Sequence, residues 1–421
     1  YPKFWEHHYG KIAAAWTLLV AIPLGLVFGP AAAANAITAT LAHDYIPFII
    51  VLFALFTVAG GLLVQGDVRG TPTTNVVILA IGAVIASIVG TTGASMILIR
   101  PILRANADRR YNVHVVIFFI FLVSNVGGGL TPLGDPPLFV GFLRGVDFFW
   151  TTRHLIEEVA FAGAALLAIF FAIDSFLYAR ESPDLKRSHA AGSAAVTLRG
   201  VVNIVLLVAI VAVILWTASL PARVIATIFG VHLNASQLIR DGLLLLIAAL
   251  SLKWTAEEHR ASNGFDWEPI KEVAKLFLGI FICIVPVLAM LAAGRNGAFG
   301  WLLSAVTAEN GGPNEVAYFW LTGILSSFLD NAPTYLVFFE LAGGDPARLM
   351  GEHAMTLAAI SLGAVFMGAN TYIGNAPNFM VYAIARHAGV AMPSFFGYML
   401  WSCLVLLPLF ALMAWLFIGV G

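Results

Sequence analysis

The chain has 421 residues, of which 60% are apolar and only 11% charged, with a formal net charge of −1. Soluble domains carry about 25% charged residues, so a mean hydropathy of +0.91 excludes an ordinary soluble domain and reads as an all-α, polytopic membrane protein. No basic block fits nucleic acid, no CxxC or HExxH spacing fits a metal, and Cys283 and Cys403 lie in separate apolar runs as packing residues.

A membrane-spanning helix needs about 20 mostly apolar residues. In chain order the candidates are 11–29, 45–65, 113–142, 157–179, 199–217, the short 240–252, 276–293, 354–388 and 394–419. Segments 74–104 and 316–343 are apolar but carry a polar break at their centres, and each is predicted to be a re-entrant hairpin. Segments 113–142 and 354–388 exceed one span and are broken in the middle, so each is predicted to be a discontinuous helix. The aromatic start, Phe4-Trp5-Glu6-His7-His8-Tyr9, reads as an interface anchor. The chain begins at Tyr1 rather than Met, which leaves room for residues upstream, and no signal-peptide pattern is visible.

The breaks repeat. Thr131-Pro132-Leu133-Gly134-Asp135-Pro136-Pro137-Leu138-Phe139 matches Thr371-Tyr372-Ile373-Gly374-Asn375-Ala376-Pro377-Asn378-Phe379 at Thr, Gly, Pro and Phe, 240 residues later, with Asn375 in place of Asp135. Upstream, Thr91-Thr92-Gly93-Ala94-Ser95 and Asp330-Asn331-Ala332-Pro333-Thr334 keep the same spacing. The predicted organisation is therefore an N-terminal scaffold helix and interface segment (1–44), a first repeat (45–179), connecting helices with a polar loop (180–275), and a second repeat (276–421). Charge gives the orientation, because cytoplasmic loops are enriched in Lys and Arg. The loop after the first hairpin holds Arg104, Arg109 and Arg110, whereas the matching loop holds Asp345 and Glu352 against Arg348. The two repeats should then be inverted, with the N-terminus cytoplasmic. All but six of the 22 Lys and Arg fall on the cytoplasmic side, the six being Arg144, Arg153, Arg223, Arg240, Arg295 and Arg348. A bacterial inner membrane is the expected location.

Interrupted apolar segments in matching halves are the best sequence pointer to a secondary transporter's binding site. A broken helix leaves backbone groups unpartnered at several kcal/mol each unless protein, water or an ion satisfies them. The side chains at the breaks are hard oxygen donors. The first set is Thr91, Thr92, Ser95, Ser124, Asn125, Thr131 and Asp135; the second is Asp330, Asn331, Thr334, Asn370, Thr371, Asn375 and Asn378. Such oxygens suit a hard, non-redox cation such as Na⁺ or Li⁺. Each set holds one carboxylate, and intramembrane acids are functional candidates. A carboxylate stripped of water can hold a proton when no cation is present, so Asp135 and Asp330 are the proton-coupling candidates, although either could instead cap a half-helix. His114, Arg100 and Glu340 lie near predicted membrane edges and read as interfacial.

The runs Gly90-Thr91-Thr92-Gly93-Ala94-Ser95, Val123-Ser124-Asn125-Val126-Gly127-Gly128 and Leu130-Thr131-Pro132-Leu133-Gly134-Asp135-Pro136-Pro137 resemble the NhaD-type sodium/proton antiporters, which sit beside citrate transporters in the ion transporter superfamily. The resemblance extends from about Phe4 to the end. It implies a scaffold domain and a transport domain, two opposed hairpins, a homodimer and an elevator-like motion, with no cofactor beyond Na⁺ and H⁺. It also implies one Na⁺ site at Thr92, Ser95, Ser124, Asn125 and Thr131 and another at Asn331, Thr334, Asn370 and Thr371. The hairpin tips read Thr91-Thr92-Gly93 and Asp330-Asn331-Ala332 where relatives carry a Ser-Asn-Thr type motif. Three functions follow as expectations: a Na⁺(Li⁺)/H⁺ antiporter, a Na⁺-coupled citrate or dicarboxylate symporter, and a non-transporting membrane subunit. No Lys or Arg lies within either break, and two acids repel an anion; both points favour the antiporter.

Overall fold

A computed structural model describes residues 2–66, 68–190 and 196–419, with side chains from His8 onward. The side chains of the aromatic start before His8 therefore lie outside the described residues. Among the described residues seven helices are long and apolar enough to span a membrane: His8–Phe28, Pro30–Ala59, Pro72–Val89, Trp150–Ala179, Ala235–Trp254, Glu268–Ala292 and Phe395–Ile418. Shorter apolar helices run over Val113–Gly128, Val202–Ala218 and Ala354–Asn370. The protein is an all-α polytopic membrane protein. Large apolar side chains stay outermost, Leu26 and Leu404 among them, as expected where lipid rather than water is the solvent.

The chain divides into two compact units, each assembled from separate stretches. The first comprises residues 1–61, 202–256 and 264–304. In it the N-terminal helix Pro2–Phe28 packs along Glu268–Ala292. Pro30–Ala59 is one continuous 30-residue apolar helix with a π-helical stretch at Thr40–Tyr45, so the expected boundary at residue 44 falls inside a helix. The expected span 45–65 stops at Ala59. Phe48 stacks on Phe277 with centroids 4.9 Å apart, and the Tyr45 hydroxyl donates to the Ala274 carbonyl at 2.9 Å. Asn203 is satisfied by Thr255 (2.8 Å) and Ser251 (2.6 Å). The short segment 240–252 proves to be part of a 20-residue helix, Ala235–Trp254. Strands Val224–Ile228 and Val231–Asn234 form a hairpin over Phe229 (φ 48°) and Gly230 (φ 81°). Two consecutive positive φ angles are what a type I′ turn demands.

The second unit comprises residues 62–201, 257–263 and 305–421. Its principal helices are α1 (Pro72–Val89), α2 (Thr91–Ala105), α3 (Val113–Leu122), α4 (Pro136–Leu143), α5 (Trp150–Ala179), α6 (Glu315–Phe328), α7 (Asn331–Leu341), α8 (Ala354–Met367), α9 (Ala376–His387) and α10 (Phe395–Met413). The pairs α1–α2 and α6–α7 each pack together, and in each pair the two helices are joined at the polar break. Gly90 alone links α1 to α2 at φ +86°, and a Cβ there would meet the Leu133 carbonyl at 3.2 Å. Leu329-Asp330 links α6 to α7. The apolar run 113–142 is not one helix: α3 stops at Leu122 and α4 starts at Pro136, with a 3-10 turn at Val126–Gly128 between them. Run 354–388 is divided the same way by a 3-10 turn at Gly368–Asn370. Prolines at the first helical positions explain where α4 and α9 restart.

Candidate functional site

Within the second unit the four breaks meet. Backbone closes the first pair: Thr91 N–H donates to the Gly134 carbonyl at 2.8 Å. Side chains then satisfy the interrupted ladders, in closely parallel ways in the two halves. Ser87 Oγ donates to the Gly127 carbonyl (2.5 Å), accepts from Leu130 N–H (3.2 Å), and its carbonyl accepts from Thr131 Oγ1 (2.5 Å). Ser327 Oγ donates to the Met367 carbonyl (3.0 Å), accepts from Asn370 Nδ2 (3.0 Å), and its carbonyl accepts from Thr371 Oγ1 (2.5 Å). The Leu130 carbonyl accepts from Thr151 at 3.0 Å, and the Asn370 carbonyl accepts from Ser402 at 2.7 Å. Glycines allow the tightest approach. A Cβ on Gly134 would lie 2.2 Å from the Gly128 carbonyl oxygen, and one on Gly374 would lie 2.5 Å from that of Gly368. No side chain fits at either place.

Asp135 sits at the centre and is 1% exposed. It occupies the N-cap position of α4 but makes no side-chain cap bond. Its carboxylate instead accepts from Thr91 Oγ1 (3.0 Å), Asn331 Nδ2 (2.6 Å) and Asn375 Nδ2 (3.0 Å). All three contacts are neutral donors, one from each of the other three breaks. Hydrogen bonds to a charged group contribute about 1.5–3 kcal/mol each, so the three together are comparable with the several kcal/mol that desolvating a carboxylate takes away, but none of them cancels its charge.

A chain of amides runs outward from Asp135. Asn375 Nδ2 also faces Asn125 Oδ1 (3.2 Å) and the Ser124 carbonyl (3.1 Å). Asn125 Nδ2 donates to Asn378 Oδ1 (2.7 Å) and to the Ile120 carbonyl (2.8 Å), and Asn378 Nδ2 donates to the Gly368 (2.8 Å) and Thr371 (2.9 Å) carbonyls. Three buried amide oxygens, Asn331 Oδ1, Asn370 Oδ1 and Asn375 Oδ1, accept no hydrogen bond. An orphaned buried acceptor is destabilising by about 1–3 kcal/mol, and a small hard cation is the natural partner for such oxygens. The set is therefore rich in the hard oxygens that such cations prefer. The side chains gathered here offer hydroxyl, amide and carboxylate oxygens.

The expected residues separate into groups. Thr91, Asp135, Asn331 and Asn375 form one cluster although they came from both expected sets, and Asn125, Ser124 and Asn378 adjoin it. Thr131, Asn370 and Thr371 hold the frame through Ser87 and Ser327. Ser95 pairs with Ser124 at 2.9 Å. Thr334 bonds back to the Asp330 carbonyl in its own helix at 3.0 Å. Thr92 is half-buried on the first turn of α2 and takes no part in the cluster. Asp330 caps α7, accepting from Ala332 N–H at 3.2 Å. Ser87 and Ser327 were missed; the 240-residue offset, applied to every hydroxyl, would have found them. A second polar centre also differs from expectation. His114 is buried, and its Nε2 meets Asp174 at 2.8 Å, while Asp174 also pairs with Arg109 and accepts from Asn75 at 2.9 Å. Glu340 pairs with Arg144 at 3.1 Å.

Interrupted apolar helices around a buried oxygen-rich centre define a membrane protein that handles a small solute. The whole chain bears this out: residues 1–418 match the family described as "Putative citrate transport", and the chain belongs to it. An uncharacterized transporter of Mycobacterium bovis is 26% identical over 329 residues, covering 76% of this chain and 71% of the relative. An uncharacterized transporter of Mycobacterium tuberculosis matches over the same length and identity. The protein is a multi-pass membrane transporter of a small substrate, not an enzyme.

Proposed function

We propose that the protein exchanges Na⁺ or Li⁺ for H⁺ at Asp135. The observation that carries this reading is a buried carboxylate held by three neutral donors from three other breaks. A carboxylate with no basic partner among its contacts can be neutralised by a proton or by a small cation, and by only one of them at a time. Thr91, Asn331 and Asn375 all reach this carboxylate, and each also carries an oxygen of the kind a small hard cation takes. Asp330, at the tip between α6 and α7, is the second proton-coupling candidate, although its cap bond gives it another task. In this reading the two helix pairs are re-entrant hairpins, the halves are inverted repeats, and the second unit carries the ion as an elevator-like transport domain of a homodimer. Light scattering that finds only monomer at every concentration counts against the dimer.

The second reading is Na⁺-coupled uptake of citrate or a dicarboxylate, favoured by the family description. There the same oxygens hold the coupling Na⁺. Proteoliposomes with an internal pH dye and an imposed pH gradient separate the two. Collapse of the gradient by Na⁺ or Li⁺ without citrate is the expected result. No cation response, together with Na⁺-dependent citrate uptake, overturns the exchange reading in favour of the symporter.

A further inference from the structure

Helix α5 carries a buried acid that neither reading uses. Leu155, Glu158, Val159, Ala162 and Leu166 are buried, at the three- and four-residue steps of one helix face. Glu157 points the other way and is exposed, whereas Glu158 is 8% exposed. Among the described residues its Oε2 is buried and has no hydrogen-bond partner. The other acid on this face, Asp174, is held by Arg109, His114 and Asn75. One helix therefore carries a paired acid and an unpaired one.

A single layer of backbone separates this face from Asp135. A Cβ on Gly128 would lie 3.1 Å from Asp135 Cβ, and one on the next residue, Gly129, would lie 2.9 Å from Val159 Cγ2. The turn at 126–129 is thus wedged between the central carboxylate and α5, which sets the two carboxylates roughly 15 Å apart, one packing distance plus side chains. The 240-residue offset matches Glu158 to Tyr398. The Tyr398 hydroxyl donates to the Ala369 carbonyl, in the turn of the second break, at 2.8 Å. A phenol at this place is neutral and can donate, whereas an ionised carboxylate can only accept. Neighbouring charge does not make up the difference. The titratable groups that act on Glu158 from its own helix are Glu157 and His154, both exposed, and His154 Nδ1 donates to the Trp150 carbonyl at 2.8 Å. The elements packed along α5 are α1, α3, the turn at Val126–Gly128, α8 and α10. They contain no Asp, Glu, Lys or Arg, and their titratable side chains are His114, Tyr398 and Cys403. A buried carboxylate without a partner is unfavourable, and taking up a proton relieves it. A cation at Asp135 relieves it too, through space.

We infer that Glu158 is a second proton-binding site of this unit, and that its negative charge, once the proton leaves, tightens cation binding at Asp135; the tightening rests on the cation reading of Asp135, the protonation does not. Infrared difference spectra of the purified protein in nanodiscs, taken between acidic and alkaline pH, test the protonation. The carbonyl stretch of a buried protonated acid should appear in the parent and in Asp135→Asn and be missing in Glu158→Gln. Glu158→Asp should move that band rather than remove it, which keeps the test intact should Glu158→Gln fold poorly. Calorimetric titration with Na⁺ over the same pH range tests the tightening. For carboxylates about 15 Å apart and an effective dielectric constant of about 20, Glu158→Gln should bind Na⁺ about fivefold more weakly at alkaline pH. At acidic pH, where position 158 is neutral in both proteins, parent and variant should bind alike. The inference fails if Glu158→Gln leaves the protonated-acid bands unchanged. It also fails if that variant binds Na⁺ as the parent does at alkaline pH, or more weakly by the same factor at every pH, as the loss of a packing residue would give. A parent that binds no Na⁺ at any pH overturns the cation reading and the tightening with it, while the infrared band still decides whether Glu158 holds a proton.

Discussion

Asp135 and Asn375 hold the same place in two frames made of the same bonds, 240 residues apart, yet only one of them is charged. Around each, a serine one turn from its hairpin tip, a threonine and a pair of touching glycines secure the broken helix. The frame is common property of both halves, whereas the carboxylate is not. Thr91 and Asn331, also 240 apart, both donate to Asp135, and no corresponding pair serves a second carboxylate. Gly90 and Asp330 differ too: one turns the chain with a positive φ, the other caps a helix. Matching backbones can thus be held by matching bonds while one half supplies the charge and the other supplies its donors.

The sharpest way to break this comparison is to erase its one difference. Asp135→Asn should reduce cation-driven proton flux in proteoliposomes to background while detergent-solubilised protein stays folded, because an amide fits the same place in the other half. Parental flux in that variant would leave Asp135 as a structural residue. Asn375→Asp should come next. It sets a second carboxylate about 3.0 Å from the first, so the pair must share a proton or a cation; the pH profile of exchange should shift, and an unchanged profile would show that position 375 does not face the ion. The frame itself is probed by Gly134→Ala and Gly374→Ala. Each added methyl meets a backbone oxygen and should cost about 3 kcal/mol, visible as similar losses of thermal stability; strongly unequal losses would argue that the two frames are not equivalent. The smallest effect is expected of Asp330→Asn. Asn caps about as well as Asp, so stability should change by less than about 0.5 kcal/mol and exchange should continue; loss of exchange would promote Asp330 to a coupling group.

Much of this was legible from local chemistry. Gly and Pro end helices for reasons that act within a few residues, so the interruptions at Thr131–Pro136 and Thr371–Ala376 could be placed before any fold was known. The 240-residue spacing also paired Asp135 with Asn375 in advance. What could not be read was which residues meet across space. Two ion sites were expected, one per half, but Asn331 and Asn375 turn toward Asp135 and merge members of both sets. A side chain's partner over 196 or 240 residues depends on packing that no local pattern encodes. For the same reason His114 looked interfacial: its acid, Asp174, is 60 residues away on another helix. The helix Pro30–Ala59 was underestimated because Ala-rich 31–39 has modest hydropathy by itself and continues through a π-helical stretch containing His43 and Asp44.

The amide chain from Asp135 through Asn375 and Asn125 to Asn378 has a consequence for symmetry. Its members alternate between the two halves, so neither half contains a complete centre. A protein assembled from two identical copies of the first half would set two acids face to face at positions 135 and 375, and one assembled from the second half would set two amides there. Only the unlike pair sets one acid against one amide at this place. The divergence of one residue from its counterpart therefore makes the two halves complementary: one brings the carboxylate and the other its amide, and they can no longer be exchanged for one another.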